Sequence, residues 1–304
     1  MLLSFFFIGT QIMRYDIDFS ILTSPMIIAG LLLMGLVYGI NIIFVSFVFC
    51  WLLRVLSGAV VDRRLVVSIY CSSNLYKYLP GNIMHFVGRN RLAIEAKSLR
   101  HEQVMFTTLT EILFLCFSAA IISAICLFNF ITELLPHIYI PSYVFAALGT
   151  VLIVVVIFSA LFRRLLSKLL TRFFEIMKRF RPVTALKYLG LLILQLLVAA
   201  TVYLMVLLLL GQPITADLVP MVIGLFVLSW LIGFLMPGAP GGLGVREAIM
   251  IMFLGGTINQ NILVSSAVIH RVVCITGDLS AFGMSILYSK LRKGNTNFDN
   301  SLSL

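Results

Sequence analysis

Long apolar runs separated by short basic segments dominate the chain and predict membrane-spanning helices. A helical span needs about 20 mainly apolar residues. Runs near that length or longer cover residues 26–53, 103–131, 142–162, 187–210, 218–235 and 262–289. Residues 1–13 predict a short first helix, and whether it is a complete span stays open. The pattern predicts an all-α polytopic bundle of about seven or eight spans, with one or two broken or re-entrant helices.

Two hydrophobic segments are interrupted by Pro-Gly sequences. The first break, residues 78–82, interrupts the apolar segment 66–92, and the second break, residues 236–244, interrupts the segment 218–256. Lipid cannot satisfy the backbone of a broken helix, so such breaks occur inside protein or around a wet cavity. Matching breaks in two halves of a chain indicate a transport site.

Charge is sparse and concentrated between the apolar runs. The chain is 61% hydrophobic and 11% charged, with 22 Lys and Arg against 12 Asp and Glu, whereas soluble domains carry about 25% charged residues. The basic residues cluster at 54–100, 163–187 and 290–293. The positive-inside rule places these clusters, and with them the C-terminus, in the cytoplasm. A nucleic-acid partner is not expected, because the basic clusters carry no groove-reading motif.

That orientation predicts how the broken segments enter the membrane. Segment 66–92 would begin and end on the cytoplasmic side, and segment 218–256 on the outer side. Two hairpins that enter from opposite faces form an inverted repeat, as in many secondary transporters. In the alternative, residues 236–246 are an ordinary cytoplasmic loop between two full spans. Residues 245–256 are short for a span, which favours the hairpin.

A single transmembrane domain over residues 1–293 accounts for nearly the whole chain, with a disordered cytoplasmic tail at 294–304. Residues 163–187 read as a basic amphipathic helix on an anionic leaflet. It would serve as a surface anchor or, alternatively, gather anionic lipid head groups.

The second break has the composition of an anion site. Its glycines permit tight, positive-φ backbone and leave no side chain in the way; they are Gly238, Gly241, Gly242 and Gly244. A helix that starts near Val245 would direct free N–H groups and its positive dipole end into the break. Arg246 would fork onto a phosphate, and Glu247 would either hold Arg246 in place or carry a proton.

The first break contains similar residue types, a helix-capping residue and an arginine. Asn82 is positioned to cap the next helix, and Arg89 lies nine residues after Pro80, the spacing that also separates Pro237 from Arg246.

Further ionisable residues lie within the apolar runs, where function is the default hypothesis. Arg271 would pair with Glu247 or with Glu111, as a structural ion pair or as part of a site. A structural role is favoured for Asp278, and Glu111 is expected to extend towards the interface.

No cofactor or metal is expected. The chain contains no P-loop, no dinucleotide-binding glycine pattern and no HExxH, and none of its five cysteines has metal-ligand spacing. Asp62, Glu95 and Glu102 are scattered, which argues against a membrane-embedded transferase.

Two motifs resemble one known family. Asn74 with residues 78–81 and Gly88-Arg89 is similar to its first signature, and residues 240–247 (PGGLGVRE) are similar to its second. The family is the transmembrane region of lysylphosphatidylglycerol synthase, also called flippase-like membrane proteins. The resemblance implies about eight spans in the bacterial inner membrane. In multi-domain relatives this region moves an aminoacylated phospholipid between leaflets, and a soluble aminoacyl-transferase domain follows; this sequence has no such domain.

These observations lead to one functional hypothesis and two alternatives. We expect the chain to move an anionic phospholipid or a lipid-linked saccharide across the inner membrane, with Arg89, Arg246 and Arg271 holding the head group between the breaks. The alternatives are a membrane-embedded transferase and a non-transporting scaffold for a cell-envelope lipid or glycan synthase. The expected partners are the lipid and the anionic leaflet, with such a synthesis enzyme as a further candidate; the oligomeric state stays open.

Overall fold

The computed structural model is helical throughout the part of the chain that it describes. It describes residues 24–58, 61–78, 83–96, 100–128, 180–236, 242 and 244–290, with isolated residues 130, 132, 171, 175 and 178. The α-helices in those residues are α1 (Pro25–Ser57), α2 (Arg63–Asn74), α3 (Met84–Glu95), α4 (His101–Cys126), α5 (Pro182–Leu209), α6 (Leu218–Leu235), α7 (Val245–Leu254) and α8 (Gln260–Lys290). A 3₁₀ turn, Leu75–Tyr78, extends α2 towards the first break. No strand occurs in the described ranges, so the predicted all-α bundle is confirmed.

Five of these helices are long and apolar enough to cross a membrane: α1, α4, α5, α6 and α8. They coincide with predicted runs. Helix α7 has only 10 residues, about 15 Å of rise against a hydrocarbon core of about 30 Å. The segment after the second break is therefore too short for a span, as the hairpin interpretation requires. The predicted segments 1–13 and 142–162, most of 163–187 and the tail lie outside the described residues.

Helices α1 and α8 run parallel in close contact. A Cβ atom on Gly35 would collide with Thr276, and one on Gly39 would collide with Ser280 and lie 2.8 Å from the Gly277 carbonyl oxygen. Gly35 and Gly39 form the Gly-x-x-x-Gly spacing that lets membrane helices approach closely. Further along both helices, the rings of Phe47 and Tyr288 meet edge to face with centroids 5.8 Å apart.

Helix α5 packs antiparallel to α1. Its last residue, Leu209, lies beside Gly30 near the start of α1, where an added Cβ would come within 3.4 Å of it. Near its start, Tyr188 and Leu192 share a buried cluster with Leu52 and Leu56 near the end of α1.

These directions place the two broken helix pairs at opposite ends of the bundle. The pair α2–α3, with the first break between its helices, begins and ends at the C-terminal end of α1, where α4 also starts. The pair α6–α7, with the second break between its helices, begins just after α5 ends and ends just before α8 starts, at the N-terminal end of α1. This is the relative arrangement that the charge pattern predicts.

Basic residues collect at the C-terminal end of α1. Arg54 lies in its last turn, Arg64 lies in the first turn of α2, and Arg100 and Arg181 precede α4 and α5. The Arg64 guanidinium lies 5.6 Å from the centroid of the Tyr288 ring near the end of α8. The placement of this end in the cytoplasm stays a prediction.

Candidate functional site

The segment before the first break is bound to helix α8 by one carboxylate. The Asn74 side-chain amide donates to Asp278 Oδ1 over 2.7 Å, and Lys77 Nζ lies 2.6 Å from Asp278 Oδ2. The Tyr78 hydroxyl also donates to Oδ2. The Asp278 side chain is fully buried, whereas 23% of the Lys77 side chain is exposed. A buried carboxylate needs such partners, since an unpaired charge in the interior is costly.

The helix after the second break is bound to α8 by a second ion pair. Glu247 Oε1 accepts hydrogen bonds from Arg271 Nε over 2.9 Å and from Arg271 Nη2 over 2.6 Å. Its other oxygen, Oε2, accepts from the Gly244 backbone N–H over 2.8 Å, which caps the start of α7. Of the two predicted partners of Arg271, Glu247 is therefore the one that binds it, and Glu247 does not hold Arg246.

Both attachments lie on one face near the middle of α8. Arg271 and Asp278 are seven residues apart, which is two helical turns or about 10 Å of rise. Cys274 lies between them on the same face. The two broken pairs thus contact α8 residues of opposite charge. The pair with the first break contacts the anion Asp278, and the pair with the second break contacts the cation Arg271.

Arg246 is half-buried in the first turn of α7 and has no anionic partner among the described residues. Its Nε is buried without a hydrogen bond. The side chain passes two glycines: a Cβ on Gly242 would lie 2.7 Å from Arg246 Nε, and one on Gly233 would lie 3.0 Å from Arg246 Cγ. Gly242 and Gly244 have φ of +73° and +82°, conformations that favour glycine. The predicted tight backbone at these two positions is confirmed.

Aromatic rings join the two broken pairs. Phe86 of α3 meets Phe234 of α6 edge to face, with centroids 6.1 Å apart. Phe234 stacks on Trp230 at 5.3 Å, and the Arg246 guanidinium lies 6.0 Å from the centroid of the Trp230 ring. The two pairs therefore enter from opposite ends and contact each other beside Arg246.

Arg89 lies in a different environment. It is 1% exposed, its Nη1 lies 2.5 Å from Glu111 Oε2, and the Tyr70 hydroxyl donates to the other Glu111 oxygen over 2.8 Å. Its guanidinium lies 3.9 Å from the centroid of the Tyr70 ring. Glu111, expected to extend towards the interface, is instead 3% exposed inside the protein. The structure thus brings Arg246 and Arg271 together, while Arg89 is bound to Glu111.

Of the other predicted site residues, Asn82, Gly238 and Gly241 lie outside the described residues. Helix α7 begins at Val245, as predicted. Sequence reasoning missed the convergence of Asn74, Lys77 and Tyr78 on Asp278. A signal was available, because Asn74 and residue 78 belong to the first motif and Asp278 is an acidic residue in an apolar run.

No protein-family model and no curated protein matches this chain. Membership of the flippase-like family therefore stays a prediction based on the two motifs. Within the described residues, no group of three or more His, Cys, Asp and Glu side chains is arranged to hold a metal ion.

The charges that meet between the breaks do not balance. Lys77 pairs with Asp278 and Arg271 pairs with Glu247, which leaves the Arg246 charge uncompensated among the described residues. Arg246 interacts electrostatically with both Arg271 and Glu247. An uncompensated guanidinium beside a helix N-terminus is suited to bind an anion.

Proposed function

We propose that this protein translocates an anionic phospholipid or a lipid-linked saccharide across the bacterial inner membrane. The observation that carries the proposal is Arg246 at the start of α7, which has no anionic partner among the described residues. It lies beside the contact between the two broken helix pairs, which enter from opposite ends. The substrate's phosphate would bind Arg246 while its acyl or isoprenoid chains stay in the bilayer.

The physical reason lies in desolvation. A phosphate that crosses hydrocarbon unaided loses its hydration, and an isolated ion pays a large free-energy penalty in such a medium. A guanidinium can replace part of that hydration with two parallel hydrogen bonds. The free N–H groups of the first turn of α7 and the nearby Arg271 would add to this anion-stabilising environment.

Two further observations support translocation. The carboxylates Glu111, Glu247 and Asp278 each pair with a basic side chain, so they are engaged in structure rather than left available for transferase chemistry. The basic end of the bundle would contact the anionic cytoplasmic leaflet. In this orientation the pair α2–α3 opens to the cytoplasm, the pair α6–α7 opens to the outer side, and the C-terminus is cytoplasmic.

A reconstitution experiment tests the proposal. Liposomes that contain the purified full chain would carry fluorescent phosphatidylglycerol or phosphatidylcholine, and a membrane-impermeant quencher would report transfer between leaflets. We expect transfer of the anionic lipid above that of protein-free liposomes, and loss of that transfer in Arg246→Ala. Arg91→Ala is the matched control, because this arginine is exposed on α3 and pairs with the exposed Glu95. Equal transfer by the wild type and Arg246→Ala would refute the assigned role of Arg246, and no transfer above protein-free liposomes would refute translocation of this lipid.

A further inference from the structure

The structure points to Asp278 as a built-in competitor of the substrate anion for Lys77. We propose that Asp278 binds Lys77 in the empty state and thereby holds residues 74–78, which lead into the first break, on α8. An anionic head group that binds Lys77 would release this segment. The inference rests on the proposed function, which supplies the anion. Asp278 is a positioning residue in this inference, because it would act on the substrate through Lys77.

The polar contacts of residues 74–78 with α8 converge on one carboxylate, beside the apolar packing of α2 on α8. The Asp278 latch, defined as Asp278 with its donors Asn74, Lys77 and Tyr78, joins α8 to five consecutive residues that end at the first break. All three donors come from the broken pair, and the one carboxylate comes from α8. Loss of that negative charge would therefore weaken all three contacts at once.

Exposure identifies which member of the latch a ligand can reach. The Asp278 side chain is completely buried, but 23% of the Lys77 side chain is accessible. Lys77 Nζ also lies 5.3 Å from the Tyr78 ring centroid and 5.7 Å from the Tyr38 ring centroid. These rings would continue to stabilise the ammonium during an exchange of carboxylate for phosphate.

The ion pair at the second break differs from the Asp278 latch because its carboxylate also bonds to its own helix. Glu247 also accepts from the Gly244 backbone N–H, three residues earlier, so part of its bonding belongs to its own helix start. In the described ranges, the partners of Asp278 are Asn74, Lys77 and Tyr78, and none of them belongs to α8. Residues 74–78 thus contact α8 through a carboxylate that makes no such local hydrogen bond, and an anion can compete with it for Lys77.

The native Cys274 reports on the latch without any transport. It lies on α8 three residues after Arg271 and four residues before Asp278, on the same helical face, and is half-buried. In a chain where Cys50, Cys71, Cys116 and Cys126 are replaced by alanine, a water-soluble maleimide would label Cys274 alone. The full-length protein would be placed in phosphatidylcholine nanodiscs, with and without phosphatidylglycerol.

We expect Asp278→Asn, which keeps the side-chain size but removes the charge, to label about tenfold faster than the Cys274-only parent, a change equivalent to about 1.4 kcal/mol. Phosphatidylglycerol should accelerate labelling of the parent and leave the already fast Asp278→Asn variant unchanged. Glu95→Gln is the matched control, because it removes an exposed ion pair from the same broken pair and should label at the parent rate. In Lys77→Gln, Cys274 should be labelled as fast as in Asp278→Asn, and phosphatidylglycerol should not change that rate. If Asp278→Asn is not monodisperse, Lys77→Gln alone provides the test.

Parental labelling rates in the folded variants, or a parent that does not respond to phosphatidylglycerol, would overturn the inference. This outcome is separable from failure of the proposed function. Latch-dependent labelling without lipid transfer would refute translocation and leave the Asp278 latch standing. Lipid transfer with latch-independent labelling would refute the latch alone.

Discussion

Arg89 and Glu111 form a buried ion pair between α3 and α4, with 2.5 Å from Arg89 Nη1 to Glu111 Oε2. Both side chains are almost completely buried, and Tyr70 of α2 hydrogen-bonds the same carboxylate. The arginine that follows the first break therefore joins the broken pair α2–α3 to a spanning helix.

This pair should contribute strongly to stability. Removal of one partner from a buried ion pair leaves an uncompensated charge and typically costs about 3–5 kcal/mol. We expect Glu111→Gln to lower the unfolding temperature of the purified protein in detergent substantially. The exposed Glu95, which pairs with Arg91 within α3, provides the control, and Glu95→Gln should leave the unfolding temperature unchanged. Similar melting of both variants would contradict the structural role of Arg89.

A methyl group at position 88 should destabilise the protein because the Tyr76 ring occupies the space beside Gly88. A Cβ at this position would collide with the Tyr76 ring, so Gly88→Ala should destabilise the protein by about 1–3 kcal/mol. Tyr76→Ala would remove the obstacle. In thermal unfolding, the double variant should lose less stability than the sum of the two single variants, whereas strictly additive losses would argue against this contact.

The ion pair at the second break should tune anion affinity in both directions. Glu247→Gln removes a negative charge and releases Arg271 beside Arg246, so retention of anionic lipid by the purified protein should increase. Arg271→Ala should decrease it, because a cation is lost and Glu247 is left unpaired. Native mass spectrometry of phosphatidylglycerol adducts would measure both. Changes in the same direction would be inconsistent with an anion site at this position.

The contact between α1 and α8 yields a paired test of two helical glycines. Gly39→Ala should destabilise the protein by about 1–3 kcal/mol, since its Cβ would meet Ser280 and the Gly277 backbone. Gly190 in α5 has nothing within 4 Å of an added Cβ, so Gly190→Ala should be neutral or stabilise by about 0.5–1 kcal/mol. Denaturation curves of the two variants would compare them directly, and equal effects would count against close α1–α8 packing.

The sequence predicted the features that depend on composition and local chemistry. A membrane helix must be apolar over most of its length, so the hydrophobic runs located α1, α4, α5, α6 and α8 within a few residues. Proline and glycine end helices for local reasons, which is why Val245 was correctly predicted as the start of α7. The distribution of lysine and arginine predicted that the broken pairs enter from opposite ends.

The ion-pair partners of the charged residues could not be predicted from the sequence. Lys77 and Asp278 are separated by about two hundred positions, and no local pattern states which carboxylate a given cation meets. Arg89 and Arg246 follow their breaks at the same spacing, yet one is neutralised by Glu111 and the other has no anionic partner among the described residues. Only the packing of α3 against α4 distinguishes them.

The glycine contacts between α1 and α8 have a mechanical consequence. Thr276 and Ser280 occupy the space that side chains at Gly35 and Gly39 would need, so a relative slide of even one residue would bring them against residues that carry side chains. These two helices must then move as one body. If the protein alternates between two open states, α8 would stay in place, and the short helices that border the breaks would move relative to it. Arg271 and Asp278 would keep their positions in both states while the residues that contact them change.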